Sequence, residues 1–240
     1  MPYWIAGYAS VWLVWMPLRF HTRARGYKRL SAACKIVPTC MAACLAGWAC
    51  FAQPNADGAS YLLWLGVCVG ALADVAIDFR LEWGGVLFFA AHCLYVAALL
   101  QISPPNGWFA VTALVAFAAA LKFLYRYRAR FAAPLLRVGV LLYAAALSAL
   151  LAAALPAPFA GGGLRPLLGA VGAVLFVISD ATLCRNAVAH RLQRAREAQL
   201  GITDPRAARR RLAEGYLSLG CYYTAQTVLA LCAFSGLSVW

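Results

Sequence analysis

Eight long apolar runs divide this chain, at residues 4–18, 32–52, 60–78, 84–101, 107–124, 134–155, 164–184 and 215–239. A helix needs about 20 mostly apolar residues to cross the hydrocarbon core of a bilayer. Runs of this length and density leave too little polar surface to face water on any side. Charge or Pro/Gly bounds each run, most plainly at Pro54-Asn55, at Pro104-Pro105 and from Pro156 to Gly163. Period-two alternation is absent over these lengths, which argues against a transmembrane barrel. Composition agrees: 64% of the residues are hydrophobic and 12% charged, against roughly 25% charged in a soluble domain. A soluble enzyme, a disordered tail and a disulfide-stapled secreted scaffold are excluded. The predicted fold is all-α, one integral membrane domain over residues 1–240 built as a bundle of about eight transmembrane helices.

The formal net charge of +13 suggests nucleic acid until the basic residues are placed. All but three of the 21 Lys and Arg lie in 19–29, at Arg80, in 122–130 and in 185–211, which are alternate connections. The connections between them, 53–59, 102–106 and 156–163, hold none. This is the positive-inside pattern, with the basic turns cytoplasmic and both termini on the other side. No nucleic-acid partner is expected. Anionic lipid headgroups are, at about 1 kcal/mol per basic residue near the surface. The long basic segment 185–213 reads as a cytoplasmic loop, either a solvated connector or an amphipathic surface helix. The start of the chain lacks a basic n-region and carries Trp4, Trp12 and Trp15, so an anchored helix is expected rather than a cleaved leader. The nine cysteines are odd in number, lie within the apolar runs and form no Cys-x-x-Cys. They read as small helix residues rather than a disulfide framework.

In a membrane helix the ionisable residues are the informative ones, because each costs about 2.5–3.5 kcal/mol at the helix centre on the insertion scale. Asp57, Glu197 and Asp204 fall in loops, and Glu82 and Glu214 at helix borders. That leaves Asp74 and Asp78 in the third run and Asp180 in the seventh. Lys35, His92, Tyr222, Tyr223 and Gln226 stand in the second, fourth and eighth. From the alternating topology and a rise of 1.5 Å per residue, Asp74, Asp180, Lys35, His92 and Tyr223 lie within about 5–12 Å of the cytoplasmic boundary. Five helices thus place polar groups at one depth, which predicts a polar chamber under the cytoplasmic leaflet. Asp74 and Asp78 share a helix face, as do Tyr222 and Gln226, and His92 and Tyr95 are three apart. Two carboxylates so close in a low dielectric should not both ionise, and one held protonated can act as an acid.

Plain structural readings stand beside these. Asp78 can snorkel or pair with Arg80, Lys35 can reach the headgroups, and His92, Tyr222 and Tyr223 can be bundle packing. Asp74 and Asp180 can fix helix register as a buried polar pair. A zinc hydrolase needs about three His, Asp or Cys ligands, and His92 alone among the histidines lies in an apolar run. No Gly-x-Ser-x-Gly elbow occurs. No metal or cofactor is therefore expected.

The blocks Ala73-Asp74, Ala91-His92-Cys93-Leu94-Tyr95, Leu175-Phe176-Val177-Ile178-Ser179-Asp180 and Tyr222-Tyr223-Thr224-Ala225-Gln226 resemble the YhhN-type lysoplasmalogenase family, in order. Lys35 with Pro38 is similar to that family's Lys-x-x-Pro. The resemblance covers about residues 30–235. Ala73 stands where the family has Gly, Asp78 where it has an apolar residue, and 185–213 is longer than usual. The resemblance implies metal-free hydrolysis of the vinyl ether bond of a lysophospholipid substrate, giving a fatty aldehyde and a glycerophospho-base. Such chemistry needs one acid to protonate the enol carbon and one carboxylate to stabilise the cation and orient water, as two carboxylates do on glycosides. Asp74 and Asp180 take these catalytic roles in this reading. Lys35 holds the phosphate, and His92, Tyr95, Tyr222, Tyr223 and Gln226 shape the binding site, with no role carried onto Asp78. The alternative is a proton-coupled transporter or lipid-binding membrane protein using the same acids as a relay, although no inverted repeat is visible.

Overall fold

A computed structural model describes residues 2–126, 134–160, 163–200 and 205–238. Among the described residues the chain is helical, without a strand. The helices are α1 (Pro2–Ser10), α2 (Met16–Ala24), α3 (Lys28–Phe51), α4 (Gly58–Phe79), α5 (Leu81–Ile102), α6 (Gly107–Tyr125), α7 (Pro134–Ala154), α8 (Leu164–Leu200) and α9 (Pro205–Cys232). Six stretches are long and apolar enough to cross a membrane: Arg29–Phe51, Gly58–Phe79, Glu82–Ile102, Gly107–Tyr125, Arg137–Ala154 and Leu164–Asn186. Each coincides with an apolar run of the sequence, as in a multi-pass membrane protein.

The first and last runs depart from the simple expectation. A π-helical turn, Val11–Trp15, joins α1 to α2. Pro17 follows it at the start of α2, and proline has no N–H to close the preceding α-helical turn. The eighth run ends early, because α9 stops at Cys232 and only the short 3₁₀ turn Ser235–Ser238 follows. The basic segment 185–213 is not a long loop. Helix α8 continues through it to Leu200, and α9 begins at Pro205.

Packing runs in a ring. Helix α3 lies against α2, α4 and α9; α5 joins α4 to α7; and α7 leads through α8 back to α9. Helix α6 packs on α7 and buries none of its residues, so it lies outside the ring. The core holds Leu63, Val67, Tyr95, Phe176, Tyr223 and Leu229. Large apolar residues such as Leu72, Trp83 and Leu114 point outward, as a lipid solvent requires.

Two devices draw the ring tight. Helix α4 aligns Gly66, Gly70 and Asp74 four residues apart, and all three are buried. A Cβ at Gly66 would collide with the Tyr95 ring, and one at Gly70 would come within 2.5 Å of Gln226 Nε2. Small residues let membrane helices approach closely, and here they seat α5 and α9 against the turn that carries Asp74. At the opposite end of α4, Asp57 caps the helix by accepting from the Ser60 amide at 2.8 Å. Its carboxylate also takes two Arg165 donors, Nη1 at 2.7 Å and Nη2 at 2.9 Å. Arg165 Nε donates to the Cys232 carbonyl at 2.9 Å, and Ser60 Oγ donates to the Ala233 carbonyl at 2.6 Å. One buried arginine thereby ties the ends of α4, α8 and α9. The sequence reading set Asp57 aside as a loop acid. Its bidentate, charge-assisted partner is more than a hundred residues away and invisible to local pattern.

Candidate functional site

The buried polar residues expected from sequence gather where α3, α4, α5, α8 and α9 meet, and they do so around two poles. The first pole is Lys35. Its ammonium lies 3.2 Å from Asp74 Oδ1 and 3.7 Å from Asp78 Oδ1, and it donates to the Asp74 carbonyl at 3.1 Å. Thr39, one turn along α3 on the same face, donates to Asp74 Oδ2 at 2.8 Å. Asp74 and Lys35 are both buried. Pro38 leaves the Cys34 carbonyl without its helical donor. The neighbouring Lys35 carbonyl accepts the Tyr223 hydroxyl at 3.0 Å, which fixes α9 to this turn.

Asp78 does not pair with Arg80. Besides Lys35 it faces Arg19, whose Nη1 is 3.9 Å from Asp78 Oδ2. Two carboxylates thus stand against two cations. Arg19, counted from sequence among the basic turn residues, is buried. It reaches the pole because α2 extends to Ala24 before the chain turns at Gly26, where a φ of 82° suits glycine.

The second pole is Asp180, on α8. Tyr143 of α7 donates to Asp180 Oδ2 at 2.7 Å, and His92 Nε2 lies 3.4 Å from the same oxygen. His92 is fully buried, between Phe176 at 5.0 Å and Tyr143 at 5.3 Å between ring centroids. Neither of its ring nitrogens makes a hydrogen bond. A buried unsatisfied nitrogen costs about 1–3 kcal/mol, and the Asp180 carboxylate is the polar group that His92 Nε2 faces. Tyr143 was not found from sequence. A tyrosine in an Ala/Leu-rich helix looks like ordinary packing until its partner on another helix is known.

Tyrosines and an amide lie between the poles. Tyr95 donates to Gln226 Oε1 at 2.8 Å, Gln226 Nε2 donates to the Tyr222 oxygen at 3.1 Å, and Tyr222 donates to the Gly70 carbonyl at 3.3 Å, one turn before Asp74. The Tyr222 ring packs on Phe176 at 5.7 Å, which in turn meets His92. The path from Asp180 to Asp74 is therefore continuous in packing. No hydrogen bond or ion pair among the described residues joins the two carboxylates directly. Exposure is confined to the poles: the Asp78 side chain is 25% exposed and that of Asp180 15%, whereas Tyr95, His92 and Gln226 are wholly buried.

Compared with known protein families, residues 32–233 match the YhhN family. The chain belongs to that family. Every pole residue except Arg19 falls within the YhhN match, which begins in the second turn of α3 and so omits α1, the π turn and α2. No curated protein and no solved structure matches the chain significantly.

Proposed function

We propose that this YhhN protein is a membrane hydrolase of the lysoplasmalogenase type, cleaving the vinyl ether bond of 1-alkenyl lysophospholipids to a fatty aldehyde and a glycerophospho-base. One observation carries the reading: two carboxylates, each with its own polar partners, stand at two poles joined by a continuous run of packed, buried side chains. That is the division of labour the reaction needs.

In this reading Asp180 delivers a proton to the enol carbon. Among the described residues its oxygen accepts from the Tyr143 hydroxyl and faces the unsatisfied His92 ring, and no ammonium or guanidinium pairs with it. Positive charge then develops on the ether-bearing carbon as an oxocarbenium ion. Asp74, which faces the Lys35 ammonium and accepts from Thr39, stabilises that cation and orients water. Water adds to the carbon and gives up one proton, which restores the acid. The hemiacetal collapses as its hydroxyl proton passes to the glycerol oxygen, and one water is consumed per bond broken. General acid and base action of this kind contributes about 10²–10⁴-fold per group. The surrounding apolar residues, Phe88, Phe176 and Tyr222 among them, suit the hydrocarbon chain.

The reading extends to topology. Pro2–Ala24, with its π turn, and α9 are the seventh and eighth spans, since each is long enough at 1.5 Å per residue to reach across the core. The basic turns and the helical extension of α8 are then cytoplasmic, and the Lys35 pole lies near the headgroups on that side. The test is aldehyde release by the purified protein from a 1-alkenyl lysophospholipid. Release from that lipid, with none from its 1-acyl analogue, is the expected result. Release from neither contradicts the proposal.

A further inference from the structure

Arg19 is the pole residue that the family match leaves out, since it stands on α2 ahead of residue 32. A seam between α2 and α9 places it: Phe20 stacks on Tyr216 with centroids 4.2 Å apart and planes 18° from parallel. Arg19 Nη1 donates to the Ser31 carbonyl at 3.1 Å, across the turn at Gly26. A guanidinium carries five donors, and burying it is costly unless they are paired. Arg19 is 5% exposed, and its Nε makes no hydrogen bond.

Among the described residues, the carboxylate that faces Arg19 is poorly held. Asp78 turns one oxygen to Arg19 at 3.9 Å and the other to Lys35 at 3.7 Å. Charge-assisted hydrogen bonds run to about 2.7–2.9 Å, so Asp78 balances both cations without bonding to either. Its side chain is also the more exposed member of both pairs.

We propose that Arg19 and Lys35 form a phosphate subsite for the phosphodiester of a lysophospholipid, and that Asp78 occupies this subsite when the lipid is absent. A phosphodiester, like a carboxylate, spreads one negative charge over two free oxygens, so it replaces Asp78 charge for charge. Its tetrahedral phosphorus lets those oxygens meet both cations at hydrogen-bonding distance, where Arg19 Nε finds its acceptor. Asp78 moves toward the open side on which it is already part-exposed. The identity of the lipid and Lys35 as a phosphate contact rest on the hydrolase reading; the part of Arg19 and the placement of Asp78 rest on the geometry.

The test measures binding rather than turnover, on the full-length protein in lipid nanodiscs. Its probes are a 1-acyl lysophospholipid, the phosphate-free 1-acylglycerol of the same chain length, and inorganic phosphate. The wild type should prefer the lysophospholipid, and Arg19→Gln should cut that preference about tenfold, as expected for losing one charged hydrogen-bonding partner. Asp78→Asn keeps the side-chain size and removes the competing charge, so it should raise the preference several-fold even if Arg19→Gln fails to fold. Equal binding of both lipids by the wild type, or a lowered preference in Asp78→Asn, overturns the proposal. Displacement of the lysophospholipid by micromolar inorganic phosphate would make the free anion the ligand and overturn it as well. Aldehyde release, measured separately, decides the hydrolase reading. A protein with the expected preferences and no release would keep the subsite and lose the reaction.

Discussion

Buried polar side chains in this protein are worth less for what each contributes than for what its removal leaves behind. Tyr95 and Gln226 are both wholly buried, and the Tyr95 hydroxyl donates to Gln226 Oε1. Tyr95→Phe removes that donor and leaves the amide oxygen unsatisfied, at a cost of about 1–3 kcal/mol. A lowered thermal midpoint checks this, and an unchanged midpoint would mean that Gln226 finds another donor. Lys35 poses the same problem with charge. Lys35→Met strands the Asp74 carboxylate, and breaking a buried ion pair on one side costs about 3–5 kcal/mol. The double variant Lys35→Met/Asp74→Asn removes both charges, so it should be more stable than Lys35→Met alone, and a double-mutant cycle on thermal midpoints reads the difference. Additive losses would show that Lys35 and Asp74 are not energetically coupled.

At the scale of elements, the apolar runs were legible because a hydrocarbon solvent demands length and leaves little choice of structure. Spans 58–79, 82–102 and 107–125 lie within a few residues of the runs read from sequence. What sequence did not disclose was how the helices face one another. Lys35 and Asp74, or Tyr222 and Gln226, could be placed because each stood out against an apolar helix. Thr39, Tyr143 and Arg19 could not, since a threonine, a tyrosine and a turn arginine are ordinary residues until a neighbouring helix supplies the partner. The junction of α4, α8 and α9 was hidden for the same reason. There the Arg165 guanidinium, with the Ser60 hydrogen bonds, holds the Asp57 carboxyl well below its ordinary value. A carboxyl whose folded pKa is depressed adds stability that is present above its unfolded value of about 3.9 and is lost as pH falls below it. The thermal midpoint of the wild type should therefore drop on acidification from pH 5 toward pH 3. Arg165→Met should be less stable at neutral pH and flatter over that interval. Parallel profiles for the two proteins would contradict the clamp.

At the scale of the whole molecule, a family match to residues 32–233, a ring of helices and two polar poles joined by buried packing support the proposed reading. Residues from both halves of the chain build the site: Lys35, Asp74 and His92 from α3, α4 and α5, with Tyr143, Asp180 and Gln226 from α7, α8 and α9. The expectation that polar groups from five helices share one level came from residue spacing and the alternation of basic turns. The division of those groups into a Lys35 pole and an Asp180 pole came only with the side-chain contacts. The central claim is that these two carboxylates perform the chemistry together. The measurement that tests it most directly is aldehyde release from a 1-alkenyl lysophospholipid by folded wild type, Asp74→Asn and Asp180→Asn. The account predicts release by the wild type and a loss of at least about 10²-fold in each variant; release by either variant at the wild-type rate would contradict it.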